Sequence, residues 1–87
     1  MQYIIAVFKS RTDSYLFLNL MRSYSATVKI VNTPKELNMP CGTSVAFNMN
    51  MYNIALSTLN RRHFSSFAGT YRIIQTNNSI KILPSTF

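Results

Sequence analysis

The sequence predicts an α+β fold in which strands and helices follow one another in the order β-α-β-β-α-β. Three observations lead to this prediction. The segment Tyr3–Phe8 is a nearly continuous apolar run, rich in β-branched and aromatic residues, which is typical of a strand buried on both faces. Two later segments repeat apolar residues at helical spacing. Turn-forming residues separate the remaining apolar segments, which alternate in the manner of strands.

The first helix is predicted at residues 13–24, directly after the first strand. Ser10 is a candidate N-cap, and Asp13, three residues later, can reach back to it as in a capping box. The expected buried stripe of this helix consists of four apolar residues at helical spacing: Phe17, Leu20, Met21 and Tyr24.

Three further strands and a second helix complete the pattern. The strands are predicted at residues 26–31, 43–49 and 67–75. The second helix follows Asn50 as its N-cap. Positive charge suits the last turn of a helix, and the last turn here holds three basic side chains: Arg61, Arg62 and His63.

A second capping box is predicted between the second and third strands. Thr33 is its N-cap candidate, Pro34 would occupy the first helical position, and Glu36 would close the box. Pro40 would end the turn. Asp13 and Glu36, the two acidic residues of the chain, are therefore both explained by helix capping.

Residues 1–75 are expected to form a single ferredoxin-like split βαβ sandwich, with the sheet order 4-1-3-2 and both helices on one face. Residues 76–87 form a C-terminal tail, in which "IKIL" predicts a short edge strand before Pro84. The alternative architecture is a small three-layer α/β arrangement in which the tail adds a fifth strand.

The composition indicates a basic protein with either a reducing compartment or a free thiol, and not a secreted disulfide scaffold. Nine Lys and Arg residues face two acidic ones, a net charge of +7, which favours anionic partners. The single cysteine, Cys41, can form no internal disulfide. The N-terminus lacks the pattern of a secretory signal, and no apolar segment approaches the ~20 residues that cross a bilayer. We therefore expect a cytoplasmic protein without a membrane partner.

The sequence does not contain the side chains of an enzyme that acts alone. It lacks a Ser/His/Asp set, a carboxylate pair for acid–base work and a glycine-rich phosphate loop. One Cys and one His are too few for a metal site, and no cofactor is indicated. A carrier or binding protein is expected, whose chemistry depends on a partner.

The predicted topology brings Cys41 to the end of the sheet where the first helix begins. Positive charge and free helix N–H groups lower the pKa of a thiol, and the thiolate is the reactive form. Gly42 would allow another backbone to come close to the thiol. Six basic residues are expected at the same end of the sheet and could stabilise a thiolate or an anion: Lys9, Arg11, Lys35, Arg61, Arg62 and His63.

Residues 2–75 resemble the selenium/sulfur carrier-like family, a group of small bacterial domains. The most specific part is P-x-E-L followed closely by C-G at the start of a strand, and "GTYRI" near the end of the range adds support. The motif residues are Pro34, Glu36, Leu37, Cys41 and Gly42. The resemblance implies that Cys41 carries sulfur or selenium, as a persulfide or its selenium equivalent. It also implies a donor or acceptor protein as partner.

Two other functions stay open. The first is a regulatory module that forms a homodimer through the sheet face without helices, because the strands are apolar enough to require cover. The second is an anion- or nucleic-acid-binding module, suggested by the positive charge. Nucleic acid ranks below the carrier function, since the third strand "TSVAF" lacks the pattern of RNA-recognition domains.

Overall fold

The computed structural model describes residues 1–38 and 42–85. Over this part of the chain there are five strands, two α-helices and two short 3₁₀ turns. The strands and α-helices are β1 (Gln2–Phe8), α1 (Arg11–Arg22), β2 (Lys29–Asn32), β3 (Thr43–Phe47), α2 (Tyr52–Arg61), β4 (Phe67–Gln75) and β5 (Ile80–Ser85). Neither of the described helices is long and apolar enough to cross a membrane.

The five strands form one antiparallel sheet in the order β2-β3-β1-β4-β5. The predicted order 4-1-3-2 is incomplete, because β5 pairs with the free edge of β4. A turn closed by a 2.9 Å hydrogen bond from Thr76 N to Ser79 O returns the chain to form β5. This strand has six residues and runs through Pro84, which an edge strand tolerates because one side makes no ladder bonds.

β1 lies at the centre of the sheet and is buried on both faces. Its residues from Ile4 to Phe8 are at most 2% exposed. Alternate residues of a strand point to opposite faces, so β1 contributes to two apolar clusters. On the first face, Ile4, Ala6 and Phe8 join side chains from both helices in one cluster. Both helices therefore pack on the same face of the sheet, as predicted.

Aromatic rings hold the centre of the first cluster together. The ring centroids of Phe8 and Phe17 are 5.3 Å apart, and Phe64 lies 5.4 Å from Phe8 and 5.7 Å from Phe17. Phe47 contacts Phe17 edge-to-face at 6.4 Å. Such tilted and edge-to-face pairs add stability beyond their burial. They connect β1, α1, β3 and the segment after α2.

The second face is covered without a helix. Its centre consists of four buried residues from three strands: Ile5, Val7, Ala46 and Ile73. Partly buried side chains pack around this centre, among them Tyr3, Tyr71 and Leu37. Leu37 is not a strand residue, because it ends a 3₁₀ turn between β2 and β3. The 3₁₀ turn between these strands therefore packs on the second face.

Helix α1 begins two residues earlier than predicted. Ser10 is its N-cap, as predicted, and its hydroxyl accepts a 3.4 Å bond from Asp13 N. Because the residue after the N-cap is the first helical one, the helix starts at Arg11. It ends at Arg22, and Tyr24 is 52% exposed rather than part of the buried stripe.

Helix α2 also differs from the prediction at its start. A 3₁₀ turn, Met49–Met51, precedes it, so Asn50 lies within this turn and does not cap the helix. The residue before the turn, Asn48, has an extended backbone and makes no side-chain capping bond. The buried side of α2 consists of Ala55 and Thr58.

A β-bulge shapes the start of β4. Val7 pairs with Gly69 and Phe8 pairs with Phe67, so Ala68 is the extra residue. Gly69 has a φ of 128°, a conformation that favours glycine. The bulge allows Phe67 to contact the ring of Phe8 on the first face, with centroids 5.6 Å apart, while Ala68 packs on the second.

Replacing Phe17 with alanine tests the importance of the ring cluster. Phe17 is fully buried, so Phe17→Ala should lower the free energy of unfolding by about 3–5 kcal/mol. Tyr15→Ala on the same helix is the control, because Tyr15 is 45% exposed and its loss should change stability by about 0.5 kcal/mol or less. Urea denaturation measures both. Equal losses of stability in the two variants would contradict the central role of Phe17 in the core.

Candidate functional site

The segment that joins β2 to β3, residues 33–42, is called here the connecting segment. Its two ends are tied together: Thr33 N donates to Gly42 O at 2.7 Å. The hydroxyls of Thr33 and Ser44 are also hydrogen-bonded, at 2.6 Å. Ser44 is fully buried, and a buried hydroxyl requires a partner. These bonds fix the base of the connecting segment to the sheet.

The second predicted capping box does not form. The structure has a short 3₁₀ turn, Lys35–Leu37, whose N-cap is Pro34 without a side-chain capping bond. Thr33 was expected as the N-cap, but its hydroxyl is bonded to Ser44 instead. Glu36 is exposed in the turn. The burial of Ser44, which lies eleven residues further along the chain, therefore overrides the local capping pattern.

The 3₁₀ turn is anchored by the packing of Leu37 and ends at Asn38. Leu37 packs against the apolar centre of the second face. Asn38 adopts the left-handed conformation with a φ of 52° and donates from its backbone N–H to Lys35 O at 2.9 Å. Asparagine tolerates this conformation better than most residues. The next three residues, which include the predicted carrier thiol Cys41, lie outside the described residues.

Gly42 is exposed and has open space beside it. An added Cβ at this position would meet no heavy atom within 4 Å. Close packing within the chain therefore does not require glycine here. The role that the sequence predicts for Gly42, approach of another backbone beside the thiol, stays a prediction.

The first turn of α1 lies beside the start of β3. Ser14 is fully buried, and its hydroxyl donates to Ser10 O at 3.2 Å and to Thr43 O at 3.5 Å. Lys9 and Arg11 flank Ser10 in the sequence, and both side chains are exposed. The structure thus brings the start of α1, with these two cations, to the end of the sheet where the connecting segment closes.

Asp13 joins the start of α1 to the turn before β4. Its carboxylate accepts from Ser66 N at 3.2 Å and from Ser66 Oγ at 2.6 Å. Ser66 in turn accepts from Ser10 N at 3.1 Å through its hydroxyl and from Lys9 N at 2.8 Å through its carbonyl. The predicted capping box therefore does not close, because the Ser10 N–H donates to the Ser66 hydroxyl and not to Asp13.

The other predicted cations are distributed over different surfaces. Lys35 is exposed on the 3₁₀ turn, whose Leu37 packs on the second face. Arg61 is the last residue of α2, and its guanidinium turns to the C-terminal end of α1, where Nη2 donates to the Tyr24 hydroxyl at 3.1 Å. Arg62 is the helix C-cap, and His63 follows it; both are exposed. Arg61 thus points to the end of α1 opposite to Arg11.

Two residues of this region could not be assigned from the sequence. Ser66 has no local motif, and its role depends on contacts with residues more than fifty positions away. Tyr24 fits the helical stripe, and only the end of α1 at Arg22 shows that it leaves the core. A useful signal for Tyr24 would have been the polar "SYS" around it, which is a poor continuation of an apolar helix face.

Among the described residues, no three His, Cys, Asp or Glu side chains lie close enough together to hold a metal ion. The chemistry available from this part of the chain is therefore hydrogen bonding and positive charge. Nine Lys and Arg residues against two acidic ones leave an excess of seven positive charges.

These features define a small basic α+β protein in which two helices cover one sheet face and a cysteine-containing segment joins β2 to β3. The chain belongs to the family described as Putative Se/S carrier protein-like, whose profile matches residues 3–72. The resemblance noted in the sequence is thereby confirmed. Comparison with curated proteins and with solved structures gives no match.

Ser66→Ala tests the link between α1 and the turn before β4. The substitution removes the hydroxyl that binds Asp13 and Ser10. We expect a loss of about 1–3 kcal/mol in the free energy of unfolding, because a partly buried carboxylate loses a donor. Ser65→Ala is the matched control, since Ser65 is exposed and adjacent. Urea denaturation that gives equal stabilities for the two variants would show that the link contributes nothing.

Proposed function

We propose that this protein carries sulfur or selenium on the thiol of Cys41. The observation that carries the proposal is the family match over residues 3–72, because this range contains the connecting segment and the one cysteine of the sequence. Partners are then a donor protein that loads the thiol and an acceptor that unloads it. The protein itself is a carrier and not an enzyme.

The proposed loading step is a thiol–persulfide exchange. The Cys41 thiolate attacks the outer sulfur of a persulfide on the donor protein. A new S–S bond forms to Cys41, the S–S bond of the donor breaks, and its electron pair leaves on the donor thiolate. The proton on the outer sulfur stays with it, so charge and electrons balance without an oxidant. Selenium would follow the same route. The thiolate is the attacking species.

Three described features support this proposal. The base of the connecting segment is fixed by the bonds of Thr33 to Gly42 and Ser44. Leu37 anchors its 3₁₀ turn on the second face. The first turn of α1 lies beside Thr43, with Lys9 and Arg11 next to it. Such surroundings attract anions and favour a thiolate over a thiol.

No specific observation favours the alternative functions to the same degree. The argument for a homodimer was an apolar sheet face that lacks cover. The four central residues of this face are at most 4% exposed in the single chain, so they require no further cover. The homodimer and the cytoplasmic location stay predictions.

Intact-mass measurement tests the loading of Cys41. Protein purified from its native host without reductant should show an added mass of one sulfur or one selenium atom. The increment should disappear after treatment with a thiol reductant, and it should be absent from Cys41→Ser. A wild-type protein that never carries the increment, even after incubation with a persulfide donor, would refute the carrier function.

The pH dependence of alkylation tests the state of the thiol. The rate at which Cys41 reacts with iodoacetamide rises with pH. It should reach half its maximum at a pH below about 8.5, which is the pKa of a free cysteine thiol. The direction follows because Lys9 and Arg11, which the sequence predicts at the same end of the sheet as Cys41, would stabilise the thiolate, which then persists to lower pH. In Lys9→Gln combined with Arg11→Gln, the midpoint should shift up towards the free value. A wild-type midpoint at or above the free value would count against an activated thiol.

A further inference from the structure

A groove with exposed polar and charged side chains along an apolar floor lies between the helices, on the side that faces away from the sheet. It consists of two adjoining clefts of about 560 Å³ and 320 Å³ that share Tyr24 and Arg61. Its floor is apolar, with Leu20 from α1 and Ile54 from α2. This surface, called here the helix groove, is formed by helix residues and the adjoining Ser23, Tyr24 and Arg62, and does not include the connecting segment.

The helix groove carries positive charge that the chain cannot neutralise. Arg61 and Arg62 both line it and are exposed. The protein has only two carboxylates, and both are elsewhere. Asp13 is bonded to Ser66, and Glu36 lies in the 3₁₀ turn after β2. Neither acidic side chain is therefore placed to pair with these arginines, which leaves them available to an anion of another molecule.

Tyr24 holds one of the two arginines in position. Its hydroxyl accepts a 3.1 Å bond from Nη2 of Arg61. A guanidinium group has five N–H donors in a planar fork, which matches a carboxylate in bidentate geometry. With one donor used by Tyr24, the others are available to a ligand. Tyrosine and arginine are also the side chains that most often dominate the energy of protein interfaces.

We infer that the helix groove binds an acidic segment of a partner protein. Its carboxylates would pair with Arg61 and Arg62, and an apolar side chain would rest on Leu20 and Ile54. The amides and hydroxyls along the groove, among them Asn53 and Ser57, offer hydrogen bonds to an extended backbone. A nucleic acid fits less well, because tight phosphate binding uses a broader array of cations than two adjacent arginines.

This inference goes beyond the carrier function and does not depend on Cys41. It assigns a docking surface to the helix layer, whereas the carrier function concerns the connecting segment. The Cys41→Ser protein should therefore bind an acidic peptide as well as the wild type does. A failure of the docking proposal and a failure of the carrier proposal can thus be told apart.

Fluorescence anisotropy with a labelled peptide of eight alternating Glu and Leu residues tests the inference. The wild type should bind it at low salt, and more weakly as salt rises. Arg61→Glu should weaken binding by at least about tenfold, which corresponds to the loss of one interface hot spot. Lys81→Glu is the matched control, with the same change of charge on the exposed edge strand β5, and should have little effect.

One further variant and one further peptide make the result specific. Tyr24→Phe should weaken binding about two- to tenfold, because Arg61 loses the bond that orients it. A peptide of alternating Gln and Leu should not bind. Thermal unfolding confirms that each variant is folded, as expected for exposed positions.

Three results would overturn the inference. The first is absence of acidic-peptide binding at low salt. The second is an equal loss in Arg61→Glu and Lys81→Glu, which would indicate general attraction by net charge. The third is tighter binding of a labelled single-stranded RNA octamer that is lost in Arg61→Glu, which would assign the groove to nucleic acid.

Discussion

The burial of β1 on both of its faces is the constraint on which the rest of the structure depends. Its residues from Ile4 to Phe8 are apolar without interruption, so each sheet face must be covered at this strand. The two helices cover the first face. Cover for the second face must come from large strand side chains such as Tyr3 and Tyr71, and from Leu37 of the connecting segment. The position of the segment that holds the only cysteine is therefore coupled to the core.

The scarcity of carboxylates is the second constraint. Two acidic residues cannot neutralise nine Lys and Arg residues. One of the two, Asp13, is hydrogen-bonded to Ser66. All nine cations are exposed, where water solvates them at little cost. The consequence is a positive potential over several surfaces rather than one compact basic site. Charge alone therefore does not identify a binding surface, and the neighbouring side chains must.

Local patterns predicted the parts of the fold that local physics determines. The apolar run predicted β1, Ser10 was correctly predicted as the N-cap of α1, and the range of β4 agrees at Phe67–Gln75. Both predicted capping boxes fail because a distant residue competes for a polar group. The hydroxyl of Thr33 is hydrogen-bonded to Ser44, and the carboxylate of Asp13 accepts a hydrogen bond from Ser66. The direction of the Arg61 side chain could not be predicted from the sequence either. The topology locates the end of a helix, but it does not fix where the guanidinium group of a long side chain lies.

The helix groove and the anchor of the connecting segment lie on opposite faces of the sheet. The helix groove is built from helices that pack on the first face, whereas Leu37 ties the connecting segment to the second. The two sets share no residue, so substitutions in one should have effects that add to those in the other. For a carrier this separation has a physical advantage. A sulfur or selenium atom added at Cys41 changes the size and charge of the thiol group. Docking through Arg61 and Tyr24 would not depend on that change, so the loaded and unloaded protein would present the same helix groove to a partner.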